Sequence, residues 1–139
     1  MSGHALNWVF NKTATAPGTT YHISLHTGDP GEDGQTANEA TGGSYARASI
    51  TAANITAAAT NANLPVGVSN TGTLTFPTSS GAWSSGSTLT WFGVWDHATN
   101  TAEANFVGRG QLSVTQSVGG SGVTLSFAAG DLDMTIDDT

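Results

Sequence analysis

The chain has 139 residues, with 18 Gly, no Cys and only 9% charged side chains, a length that fits one domain of the usual ~100 to 200 residues. Three basic residues (Lys12, Arg47, Arg109) against ten acidic ones give a formal charge of −7. That is the wrong sign for neutralising phosphates, which argues against nucleic acid and against anionic membrane surfaces as partners, while zero Cys excludes disulfides, thiolate metal sites and Cys nucleophiles.

The missing charge is replaced by 14 Ser and 22 Thr, a composition that favours strands and tight turns. At the N-terminus, Ala5, Leu6, Trp8, Val9 and Phe10 follow Ser2, a potential helix cap, and predict one or two helical turns within residues 1–12. No apolar run approaches the ~20 residues that span a bilayer, and the start lacks the basic and apolar stretches of a secretory leader. The chain is therefore expected to be made in the cytoplasm of its host.

From Thr19 to His26 the residues alternate, with Tyr21, Ile23 and Leu25 on one face and His22, Ser24 and His26 on the other. This predicts a half-buried strand. Residues 27–43 carry Asp29, Pro30, Gly31, Asp33, Gly34, Gly42 and Gly43 and read as one long loop, of a length that usually has a job. An edge segment is expected between Tyr45 and Ala59. Short strands follow at Leu64–Val68, Leu74–Phe76, Leu89–Trp95, Phe106–Val107, Leu112–Val114, Val123–Phe127 and Leu132–Ile136, with Gly108, Gly110, Gly119, Gly120, Gly122 and Gly130 assigned to the turns between them. The strand at Leu89–Trp95 is apolar on both faces, which predicts a central strand covered on both sides, by the N-terminal helix or by another subunit. Asp131, Asp133 and Asp137 alternate with Leu132, Met134 and Ile136, giving the last strand one wet, acidic face. The expected architecture is all-β: a single antiparallel β-sandwich domain over 1–139, jelly-roll-like, with a short N-terminal helix.

The acidic run from Asp29 to Gly34 resembles the start of a calcium loop, but Gly31 and Ala40 stand where ligands are needed, so a Pro/Gly turn with Asp caps is the preferred reading. His22 and His26 lie about 13 Å apart along one strand, too far for one metal to bridge. Paired carboxylates, a nucleophile elbow, a phosphate loop and a zinc helix are all missing from the sequence, so no catalytic residue, metal or cofactor is assigned. Arg47, just after the acidic loop, is expected to pin that loop through an ion pair with Glu39 or Asp29. Trp91 and Trp95 are read as core, whereas Trp83, in a Ser/Gly stretch, is a candidate for contact with a partner. Together with His26 and Tyr45, these residues (Asp29, Glu39, Arg47 and Trp83) form the candidate interface and loop-pinning set.

The stretch Ile23 to Gly34 (Ile-Ser-Leu-His-Thr-Gly-Asp-Pro-Gly-Glu-Asp-Gly), followed by Asn38-Glu39 and Gly42-Gly43-Ser44-Tyr45-Ala46-Arg47, resembles a family of small tailed-bacteriophage virion proteins. Leu74-Thr75-Phe76-Pro77 and Trp91-Phe92-Gly93-Val94-Trp95-Asp96 are similar to that family's middle, so the resemblance covers most of residues 20 to 135. It implies a β-sandwich or jelly-roll protein of the virion, either head decoration (cement) or tail-fibre-like. The short end after the last strand, Asp-Asp-Thr, favours decoration. The resulting expectation is a homodimer or homotrimer on the outer head surface that binds the major capsid protein and stabilises the head, without touching nucleic acid or membrane. The alternative is a tail-fibre or adhesin domain that binds host glycans through aromatics such as Trp83 and Tyr45.

Overall fold

The computed structural model describes residues 19–55 and 66–136. The predicted N-terminal helix lies outside them. Among the described residues the regular structure is four single 3-10 turns and eight strands: β1 (Thr20–His26), β2 (Ala48–Thr51), β3 (Val66–Ser69), β4 (Leu74–Thr75), β5 (Leu89–Trp95), β6 (Phe106–Gln116), β7 (Ser126–Phe127) and β8 (Asp133–Ile136). They form a four-stranded sheet in the order β2-β1-β5-β6 and two two-stranded ladders, β3-β8 and β4-β7, every pairing antiparallel. The fold is all-β and sandwich-like, as the alternation along β1 and β5 predicts.

The central pair is in register from His22 opposite Trp95 to His26 opposite Trp91. Because side chains alternate across a strand, Ile23, Leu25, Phe92 and Val94 point to one side of the sheet and Ser24, His26, Gly93 and Trp95 to the other. The first side carries the main core, where Ile23, Leu25, Ile50, Phe92, Val94 and Leu112 join Leu74, Phe76, Leu125, Phe127 and Leu132. Trp83 belongs to this cluster with no exposure at all. Its ring lies edge-on to Tyr45 (centroids 5.2 Å apart) and to Phe76 (6.1 Å), and its indole N–H donates to the Gly43 carbonyl at 3.0 Å. A Ser/Gly stretch thus surrounds a core anchor, because a buried indole needs one nearby backbone acceptor and the small residues let the chain close around it. The exposed role expected for Trp83 is corrected accordingly.

The sequence also misplaces two glycines. Gly108 and Gly110, assigned to a turn, lie inside the 11-residue β6, where a Cβ at Gly108 would meet the Met134 sulfur at 2.6 Å and one at Gly110 the Asp133 carbonyl at 2.6 Å. They are glycines because β8 crosses β6 at van der Waals contact, a close backbone approach that a side chain would block. What reads as two short strands with a turn is one long strand.

The other side of the sheet is not wet. Ser24 and His26 are fully buried, as are Trp95 and Phe106, so β1 is covered on both faces rather than half-buried. The cover comes from the long loop. It folds back on β1 through Ala40 N–H to Leu25 O (2.8 Å) and Thr27 N–H to Asn38 O (2.8 Å), with Glu39 bridged to His26. On β5, Phe106 and the Arg47 guanidinium lie against Trp95; the N-terminal helix expected to cover that strand lies outside the described residues.

Candidate functional site

Beneath the loop lies a polar cluster built from β1 and β5. Trp95 Nε1–H, which can only donate, points to Ser24 Oγ at 2.7 Å. Ser24 Oγ also lies 2.7 Å from His26 Nε2 and 3.4 Å from the Gly93 carbonyl, and His26 Nδ1 is buried with no partner among the described residues. Burial pushes the His26 pKa down to about 4, against the opposing pull of the Glu39 carboxylate. Gly93 makes room for the cluster: a Cβ there would lie 2.6 Å from Ser24 Oγ and 3.1 Å from both His26 Nε2 and the Phe106 ring.

A Ser–His contact of 2.7 Å invites comparison with a catalytic dyad. Here both residues have no solvent exposure, and the hydroxyl already serves an indole, so no substrate carbonyl can approach it. The apolar cleft between Ile23, Ile50, Val68, Phe92, Leu132 and Met134 encloses about 50 Å³, far below the ~300 Å³ at which ligand pockets begin. The polar cluster is a structural lock.

Its outer bolt is Arg47. The guanidinium holds Glu39 in a fork, Nε to Oε1 and Nη2 to Oε2, each at 2.8 Å, and lies 3.8 Å above the Trp95 ring. Nη1 donates to the carbonyls of His97 (3.3 Å) and Asn100 (3.1 Å). One side chain therefore ties the long loop, strand β5 and the loop after it, which uses the rigid planar donor set that Lys lacks. The pair is buried, with side-chain exposures of 4% and 12%. Tyr45 completes it: the phenol accepts from Leu25 N–H at 2.9 Å and donates to Glu39 Oε1 at 3.3 Å, and burial, then the Glu39 charge, push its pKa up.

Of the residues singled out from sequence, His26, Glu39, Tyr45 and Arg47 thus converge. Asp29 does not join them. It pairs with Arg109 of β6, whose Nη1 reaches both Asp29 oxygens at 2.7 Å while Nη2 reaches Glu32 at 2.6 Å. The acidic run is consequently turned toward a guanidinium rather than toward a vacant cation site, and Asp29 Oδ1 also caps the Gly31 N–H at 2.8 Å. Among the described residues no group of three His, Asp or Glu is placed to hold a metal ion. Arg109 is the anchor the sequence reading missed. Its signal was arithmetic: with three cations in the whole chain, the second long-loop contact had few other candidates.

These features define a class: a small all-β domain whose longest loop is locked to the sheet by buried polar contacts and two guanidinium clamps. Residues 1–135 match the family described as Podophage GP4 fiber I protein gp80, and the chain belongs to that family, which places it among phage virion structural proteins. Comparison with curated proteins gives no match. No helix among the described residues is long and apolar enough to cross a membrane.

Proposed function

We propose that the chain is a structural domain of a phage fibre, a non-enzymatic module that presents a fixed loop surface to its neighbours in the virion. The observation that carries this reading is the family match along residues 1–135 to a protein described as a fibre protein. The geometry agrees, since the loop is clamped to the sheet at Glu39 through a buried ion pair and tethered at Asp29, which lowers the entropic cost of contact. The glycan-binding version has lost its proposed contacts: Trp83 is fully buried, and Tyr45 spends its hydroxyl on Leu25 and Glu39.

The head-decoration reading, with the major capsid protein as partner, is second. It is favoured by the neutral Ser/Thr exterior of the β4-β7 ladder, which costs little to desolvate against a protein shell. Location separates the two. Gold labelling of virions with an antibody to this chain, or a virion reconstruction, should place it on fibres at the tail; density spread over the head lattice would overturn the fibre reading in favour of decoration.

A further inference from the structure

His26 sits where a charge is hard to accommodate. Its ring is fully buried; Nε2 meets Ser24 Oγ, which already takes the Trp95 indole N–H, and Nδ1 has no partner among the described residues. An imidazolium must donate from both nitrogens. Protonation in the closed structure therefore leaves a buried, charged N–H without an acceptor, a costly arrangement that contact with water would relieve.

The cover over this site is held by few contacts. The turn from Pro30 to Gln35, closed by Gln35 N–H to Pro30 O at 2.6 Å, seats Gly34 on the Phe106 ring, where a Cβ would come within 2.5 Å. Phe106 lies edge-on to Trp95, with centroids 4.8 Å apart. Thr27 N–H to Asn38 O and Ala40 N–H to Leu25 O, each 2.8 Å, hold the loop along the end of β1. Within residues 27–43 the buried apolar side chains are Pro30 and Ala40, so opening the loop gives up little apolar burial and leaves the opposite face, with Leu25, Phe92 and Val94, in place.

The charges that face His26 are already paired. Glu39 and Asp29 come from the loop and Arg47 from the segment after it; Arg47 holds Glu39, and Arg109 of β6 holds Asp29. Tyr45 donates to Glu39 and is kept neutral by burial. His22 lies beyond Ser24 on the same strand face, and Gly93, Trp95 and Phe106, brought up by β5 and β6, carry no charge.

We infer that the loop from Thr27 to Gly43 is an acid-released cover: protonation of His26 opens it from the sheet while the apolar core stays folded, and neutral pH closes it again. With the loop away, the imidazole returns to its ordinary pKa near 6.5, against about 4 beneath the loop. The open form thus takes the proton first. Closure is complete above about pH 6.5 and weakens as pH falls from there through about 4, the opening equilibrium rising about a hundredfold between pH 7 and pH 4. Acid then uncovers Trp95 and Phe106, so the chain offers a neighbour a different surface in each state, on a fibre or on a head alike.

Amide hydrogen exchange on the full chain, corrected for the intrinsic pH dependence of exchange, tests this. Between pH 7 and pH 4 the protection of the Thr27 and Ala40 amides should fall about a hundredfold while the β5 amides bonded to β6 keep theirs; in His26→Gln the same two should change less than about tenfold. Should His26→Gln fail to fold, the wild type decides alone, because the His26 imidazole resonances should titrate together with the loss of loop protection. Three results would each overturn the switch: loop and β5 amides losing protection together, an equal fall in wild type and His26→Gln, or an imidazole that takes its proton while the loop amides stay protected.

Discussion

The two faces of the β2-β1-β5-β6 sheet solve the same problem by different chemistry. On one, Leu25, Phe92 and Val94 are buried among other apolar side chains, where any shape that fills the space does nearly as well. On the other, their strand neighbours Ser24, His26 and Trp95 are just as buried, yet each depends on one particular partner. The core face provides most of the stabilisation by area. The loop face fixes where residues 27–43 sit, and it fails when a single partner is lost.

The sharpest way to break the second face is Arg47→Ala. It strands Glu39 as a buried carboxylate, uncovers Trp95 and frees two carbonyls, so the cost should be about 3–5 kcal/mol. Urea unfolding would give the size, and limited proteolysis should show cleavage within residues 27–43 at denaturant levels that leave the core intact. A loss below about 1 kcal/mol would mean that the apolar face alone holds the loop. The next effect is on acidification. His26 is neutral when folded, with its pKa at about 4, but titrates near 6.5 when unfolded. The unfolded chain then takes up the proton first, so His26's contribution is complete above about pH 6.5 and is lost as pH falls from there through about 4, by up to ~3 kcal/mol. Stability measured against pH should therefore slope more steeply in the wild type than in His26→Gln; parallel curves would remove the histidine from the lock.

The difference between the faces also explains what could be read from sequence. Periodicity marks β1 and β5 because one face of each is plainly apolar, and charge scarcity points Arg47 at the acidic loop while leaving its partner open between Glu39 and Asp29, a choice that only the fold makes. The second face was hidden. Ser24 and His26 read as solvent-facing because their burial is created by a loop that returns from elsewhere, and nothing in an alternating pattern records what comes back to cover it. Gly108 and Gly110 misled for a related reason: a glycine required by a crossing strand looks the same in sequence as one required by a turn.

The second clamp gives the smallest expected effect and sharpens the contrast within the loop face itself. Arg109 has the same donor chemistry as Arg47 and one more carboxylate contact, three at 2.6–2.7 Å against two. Its partners are open to water, however: the Asp29 and Glu32 side chains are 47% and 64% exposed, and its own is 24% exposed. In that setting solvent competes for each ion and salt screens the pair, so Arg109→Ala should cost less than about 1 kcal/mol, and the difference from wild type should shrink further at high ionic strength. Arg47→Ala should keep its deficit in the same salt titration, because its ion pair is shielded from bulk solvent. Equal salt sensitivity in the two variants would mean that burial does not separate the clamps. If the difference holds, the loop is fixed at its Glu39 end and only tethered at Asp29, which makes the acidic turn from Asp29 to Gly34 the part of the locked face with freedom to adapt to a neighbour.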